Sequence, residues 1–251
     1  MRHATKYQIP KQSAARKATD MWAASAAPPC ALACLVSSDH MTQTQPTVIL
    51  TATSLYFSYQ DQALFSNFSA QIADGITLVR GGDGCGKSTL LRLLAGALMA
   101  EGGQLLINGV DLKAHPASYK AQVFWTEPRA DAFDQLRVRD YFEMQRSKYD
   151  GFDNFLLAEM TDGLGLQEHM HKQLFMLSTG SKRKVFLAAA FASGAAVTLL
   201  DEPFAALDAV SIEFLVRWLK IARNVKNRAL VVADYLATDG LPLTQTIDLG
   251  D

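Results

Sequence analysis

The chain has 251 residues, of which 49% are hydrophobic and 20% charged, enough apolar material for one sizeable core or a core with a small subdomain. Its net charge of −1 offers no basic footprint for nucleic acid, and its longest apolar stretch, Phe186 to Leu200, is interrupted by Ser193 and Gly194 and falls short of the roughly 20 residues of a membrane span. Three cysteines, one of them in a glycine-rich loop, exclude a disulfide framework and favour a reducing compartment.

Met1 to His40 differs in character from the rest. It holds Arg2, Lys6, Lys11, Arg16 and Lys17 against only Asp20 and Asp39, then an Ala-rich stretch with Pro28-Pro29. Three readings compete: an export signal ending near Ala33-Cys34, a disordered arm, and translated sequence upstream of a true start at Met41. Residues 1–46 are set apart as an extension and 47–251 as the folded domain.

From Val48 the chain reads as α/β. Val48-Ile49-Leu50, Leu55-Tyr56-Phe57 and Phe68 to Ile72 predict short strands, with turns at Ser58 to Gln62 and at Ala73-Asp74-Gly75. Ile76 to Val79 is a further strand, leading into Gly81-Gly82-Asp83-Gly84-Cys85-Gly86-Lys87-Ser88, after which Thr89 to Ala95 predicts an amphipathic helix closed by Gly102-Gly103. Gln104 to Ile107 is a strand with a tight turn at Asn108-Gly109, and Val123-Phe124-Trp125 another, ending at Glu127-Pro128. Tyr141 to Gln173 reads as helical and polar, broken at Gly151 and Gly163, with Tyr141, Phe142, Tyr149, Phe152 and Phe155 as its core. Val197 to Leu200 and Ala229 to Ala233 are apolar strands; no internal repeat is visible.

The first chemical motif is the glycine-rich loop between strand and helix. Glycines let successive N–H groups curl inward onto phosphate oxygens, and the helix that follows adds its positive dipole end. In this phosphate loop Lys87 would set a point charge on the outer phosphates of a nucleoside triphosphate, and the Ser88 hydroxyl would ligate magnesium. The second motif is Asp201-Glu202-Pro203, two carboxylates at the end of an apolar run. That is how a buried parallel strand delivers acids to a site: Asp201 to hold magnesium, Glu202 to orient or deprotonate the attacking water. A domain that consumes ATP gains nothing from export, which leaves the arm and the Met41 start.

A third segment, Leu177-Ser178-Thr179-Gly180-Ser181, resembles the signature of the ATP-binding cassette family, usually written Leu-Ser-Gly-Gly-Gln. The order of phosphate loop, helical insert, signature, acidic strand and Ala205-Ala206-Leu207-Asp208 is similar to that family from Val48 onward. The resemblance implies a phosphate-loop NTPase core of mostly parallel sheet with helices, an N-terminal antiparallel β subdomain, and a helical insert over about residues 129–176. It implies ATP and Mg2+ as ligands, contacts from Gly81 through Lys87 and from Ser88 and Thr89, and hydrolysis coupled to transport. It also implies two partners: a second cassette, identical or different, and a polytopic membrane permease that would hold the chain on the cytoplasmic face of the cell membrane. Ser178 and the Gly180 N–H would then meet the γ-phosphate of the partner cassette's nucleotide; a simple helix cap is the local alternative for Ser178.

Other positions follow from the same resemblance. Tyr59 matches an aromatic that stacks on adenine, or is an edge-strand aromatic beside Tyr56 and Phe57. Two departures weaken the expected catalysis. Glu127, with Thr126 as the less favoured equivalent, stands where the family carries a glutamine, and Asp234 stands where it carries a histidine. No realignment restores the latter, since the last histidine is His171. A carboxylate beside the γ-phosphate repels it unless protonated or turned away, so tight Mg-ATP binding with slow hydrolysis is expected. Compactness and the Trp125 to Pro128 run resemble the small exporter cassettes of cytochrome c maturation; a soluble cassette ATPase is the alternative. Lys182-Arg183-Lys184 reads as a solvated helix face, His169 and His171 do not share a helix face for zinc, and Cys85 is a tolerated small side chain.

Overall fold

The computed structural model describes residues 46–60, 62–125, 131–222 and 226–250. The extension therefore lies outside the described residues apart from Pro46, as do Thr126, Glu127 and Pro128.

Two strands of twelve residues, β1 (Val48–Tyr59) and β2 (Gln62–Ala73), form an antiparallel pair from Val48↔Ala73 to Tyr59↔Gln62, with several register shifts along it. The two short strands expected at 48–50 and 55–57 are thus one. The polar gap that seemed to separate them is a register irregularity between Ala52 and Leu55, where Ser54 takes a φ of 49° and its N–H turns to the Ser69 hydroxyl at 2.9 Å. Next come β3 (Gly75–Arg80) and the first helix, α1 (Lys87–Leu94). That helix stops near Gly96, whose N–H closes onto the Leu93 carbonyl at 2.9 Å, and not at Gly102-Gly103. Those glycines instead open β4 (Gly102–Ile107), which pairs with the other side of β1 and turns through Asn108-Gly109 into β5 (Val110–Asp111).

A short helix, α2 (Pro116–Lys120), precedes β6 (Val123–Trp125). The insert contains α3 (Val138–Lys148) and α4 (Asn154–Gly163), followed by α5 (Thr179–Ala192), β7 (Val197–Asp201), α6 (Ala209–Ala222), β8 (Ala229–Asp234) and β9 (Gln245–Asp248). The antiparallel sheet has the order β2-β1-β4-β5, and the second sheet, β6-β7-β8-β3-β9, is parallel throughout. Its central strands are buried on both faces: Leu200, Leu230, Val232, Ile76 and Leu78 face the helical core of α3, α5 and α6, while Val197, Leu199, Val231 and Val79 face α1 and the antiparallel sheet. In the insert Tyr141, Phe142 and Tyr149 are buried and Phe152 partly so, but Phe155 is 54% exposed and is not core. Among the described residues no group of three or more His, Cys, Asp and Glu side chains is arranged to hold a metal ion by itself, and no helix is long and apolar enough to cross a membrane.

Register decides what arrives at the sheet's C-terminal edge. Arg80 pairs with Asp234, and Asp201 with Ala233, so three strands deliver Gly81, Glu202 and Asp234 side by side. The far end of α1 is fixed by the buried Tyr119, whose hydroxyl donates to the Leu94 carbonyl at 2.7 Å. Removing that hydroxyl leaves a buried carbonyl without its donor. Tyr119→Phe is expected to lower stability by about 1–2 kcal/mol, read as a shift of the urea unfolding midpoint at constant slope.

Candidate nucleotide site

The loop leaves β3 at Arg80 and enters α1 through Gly86, which caps the helix in a left-handed conformation (φ 100°, ψ 12°) with no side chain over its end. A residue with a Cβ is strained there, and the helix's first amides, which have no intrahelical partner, face out as an anion site. Gly84 also has positive φ, and a Cβ on it would meet nothing within 4 Å, so the crest of the loop borders open space. Lys87 is only 8% exposed and donates to the carbonyls of Gly81 and Gly82, each at 2.7 Å. Cys85 is partly buried against Gly81, and Asp83 lies on the loop between them.

Around this lysine stand the acids. Burial pushes the Asp201 carboxyl above the ordinary aspartate range, with Glu202 adding repulsion and the Ser88 hydroxyl, Lys87 and Arg183 opposing it. Glu202 follows β7 at a φ of 44°, unusual for a residue with a side chain, held by its N–H on the Ala233 carbonyl at 2.8 Å. Asp234 belongs to the same cluster. Burial raises its pKa, its Oδ1 accepts the Tyr235 N–H at 2.7 Å, and it feels Glu202 as a like charge and Lys87 and Arg183 as opposite ones. Tyr59 lies at the rim, 47% exposed, its hydroxyl 3.3 Å from the Thr89 hydroxyl and its ring edge-on to Phe57 at 4.8 Å.

The signature segment makes its contacts elsewhere. Ser178 caps α5, accepting the Ser181 N–H at 3.2 Å and donating to the Ser181 hydroxyl at 3.0 Å. Gly180 packs so tightly that a Cβ would stand 2.3 Å from the Ala206 carbonyl, an intrachain requirement that the sequence reading did not give it.

Lys182-Arg183-Lys184 is not a solvated face. Lys182 is ion-paired with Asp134 and lies 3.7 Å from Asp131, Arg183 donates to the carbonyls of Glu202 (2.9 Å) and Ala205, and Lys184 reaches Asp208 at 2.6 Å. Lys184, then the Ser211 N–H and hydroxyl, hold the Asp208 carboxyl well below the usual range. Each partner is distant in sequence, so only the cluster of three cations was readable. The helix behind the signature thereby touches the insert, the exit of β7 and the start of α6.

A parallel sheet that brings a glycine-rich loop, its lysine and two acids to one edge defines a phosphate-loop nucleotide-binding domain. Residues 65–205 match the family described as ABC transporter. The chain is 33% identical over 189 residues to the cytochrome c biogenesis ATP-binding export protein CcmA of Pseudomonas syringae pv. syringae, covering 74% of this chain and 87% of that protein. It is 31% identical over 217 residues to the taurine import ATP-binding protein TauB of Pseudomonas aeruginosa, covering 77% and 80%. Among solved structures, the ATP-binding subunit of an ABC transporter superposes with a TM-score of 0.67 at 21% identity (75% and 80% covered), and cbiO1 of Clostridium perfringens, part of the ABC transporter complex cbiONQ, with 0.58 at 20% (76% and 79% covered). These last two share the fold. The chain belongs to the ATP-binding cassette family and is the ATP-binding, ATP-hydrolysing subunit of a transporter.

Because Gly180 is packed inside its own chain, Gly180→Ala is expected to destabilise the isolated protein by about 1–3 kcal/mol, measured by urea unfolding without nucleotide. An unchanged midpoint would mean that Gly180 serves only a partner.

Proposed function

We propose that the Lys87, Ser88, Asp201, Glu202 and Asp234 cluster binds Mg-ATP and hydrolyses it slowly, in a pair of cassettes docked on a polytopic membrane subunit. The observation that carries this is a buried lysine docked on the Gly81 and Gly82 carbonyls, with Ser88 next to it in the chain and the Asp201 carboxyl within electrostatic reach of both. A hydroxyl and a carboxylate side by side are the hard oxygen donors that suit magnesium, which when bound offsets the charge of the outer phosphates. Lys87, oriented by its two carbonyls, meets those phosphates with its remaining N–H, and the amides of Gly84, Gly86, Lys87 and Ser88 curl around them. Tyr59 offers its exposed ring at the rim for the base.

Glu202 orients the attacking water and takes its proton, while its strained backbone and its bond to Ala233 fix its aim. Asp234 sets the pace. Ionised, it repels the γ-phosphate; protonated, it becomes a neutral hydrogen-bond donor in the place of the family's histidine. A second cassette, identical or different, completes each site by presenting Ser178 and the Gly180 N–H from the start of α5. The 87% coverage of CcmA makes an export-type membrane partner of the cytochrome c biogenesis kind the first pairing to test.

Steady-state hydrolysis with binding measured alongside tests this reading. Lys87→Ala is expected to lose Mg-ATP affinity, whereas Glu202→Gln keeps affinity and loses about 10²–10⁴-fold in rate. An Asp234→His variant is expected to turn over faster than the native chain. Full wild-type activity in Glu202→Gln overturns the assignment.

The sign of the pH response follows from Asp234. Its pKa is raised above the ordinary aspartate value, so the neutral form persists to higher pH than usual and grows as pH falls. Hydrolysis by the native chain should rise on mild acidification relative to Asp234→Asn, which has no proton to gain there. Parallel pH profiles for the two proteins would remove Asp234 from the rate law.

A further inference from the structure

The segment leaving β9 lies against the first turn of the phosphate loop, a contact no motif announces. The Leu249 N–H donates to the Arg80 carbonyl at 2.9 Å, and the Gly82 N–H donates to the Gly250 carbonyl at 3.0 Å. Asp248 fastens both sides of this crossing. Its Oδ2 accepts Arg80 Nε at 2.9 Å and Nη2 at 2.6 Å, while its Oδ1 accepts the Gly250 N–H at 3.0 Å. These bonds, the Gly250 one first, hold its carboxyl below the ordinary range. The approach leaves no slack: a Cβ on Gly81 would stand 2.6 Å from the Gly250 carbonyl.

The peptide gripped in this way is the one that docks the lysine. The Gly82 N–H is tied to Gly250, and its carbonyl, together with that of Gly81, accepts Lys87 Nζ. A chain of bonds therefore runs from Asp248 through Gly250 and Gly82 to the ammonium group, with a second arm through Arg80 to the residue that begins the loop. Arg80 and Asp248 are each 51% exposed, and exposed ion pairs contribute little to stability. Where such a pair fixes a loop that aims a charge, it acts on ligand affinity instead.

We propose that Asp248 is a positioning residue for the phosphate site: through Gly250 and Arg80 it fixes the Gly81 and Gly82 carbonyls that aim Lys87 at the triphosphate. The proposal rests on the reading of Lys87 as a phosphate-binding group. Asp248→Ala removes both arms. Asp248→Asn keeps an acceptor for the Gly250 N–H and loses the charge facing Arg80.

The test uses the full 251-residue chain. Equilibrium binding of Mg-ATP is measured for the native protein, Asp248→Ala, Asp248→Asn and Lys87→Ala, with the nucleotide-free unfolding midpoint of each. Asp248→Ala is expected to bind about ten-fold more weakly, short of the roughly hundred-fold that a 1 Å misplacement can cost a site. Its midpoint should stay unchanged, and Asp248→Asn should fall between it and the native chain. Native affinity in Asp248→Ala overturns the proposal, as does a loss matched by a comparable fall in its midpoint, the mark of a merely structural role. If the native chain binds no better than Lys87→Ala, the reading of Lys87 fails, and Asp248 loses its role with it.

Discussion

One electrostatic constraint organises the molecule: a nearly buried ammonium group among three carboxyl groups at the edge of a parallel sheet. Lys87 is held by two backbone carbonyls and attracts Asp201 and Asp234, which stand at the ends of two adjacent strands and each feel Glu202 as a like charge. Burial raises the pKa of Asp201 and of Asp234, because ionised carboxyls lose hydration there and repel Glu202. A cluster of this kind is poised for a ligand that brings its own charges.

The scaffold explains why the cluster holds its shape. Strands β7, β8 and β3 are clamped between two apolar layers, so their C-terminal ends cannot drift without disturbing both. The antiparallel sheet contributes Tyr59 at the rim, and Tyr119 secures the far end of α1. From the other side, three successive cations of α5 reach the insert, the backbone behind Glu202, and Asp208 at the start of α6. The signature helix is thereby joined to the backbone of Glu202 through a contiguous set of bonds.

Asp234 stands where the resemblance led a histidine to be expected, and the structure shows its surroundings. It is neither turned away nor isolated, since it shares its charge environment with Glu202 and Lys87. A cassette whose γ-phosphate contact depends on protonation would be slow alone and responsive to its surroundings, which suits a subunit that works in a pair. The basic run after the signature shows the opposite case: residues that look like ordinary surface charge prove to be structural ties.

Much was legible from order and spacing. The strand, glycine loop and helix around Lys87 are local, and an apolar run ending in Asp201-Glu202 is a short-range pattern, so the sequence by itself determined the nucleotide-binding class and pointed to residues that the fold then brings to one sheet edge. The long hairpin strand was misread because a bulge at Ser54 breaks periodicity without ending pairing. Gly102-Gly103 was misread because glycine marks both helix ends and strand entries. Non-local relations were decided by tertiary structure alone: the packing of Gly180 on Ala206, the three ion and carbonyl contacts of Lys182 to Lys184, and the grip of Asp248 to Gly250 on Gly82. Each joins segments whose proximity is fixed by strand order and register, and a hydrogen bond between distant residues leaves no periodicity in the chain that makes it.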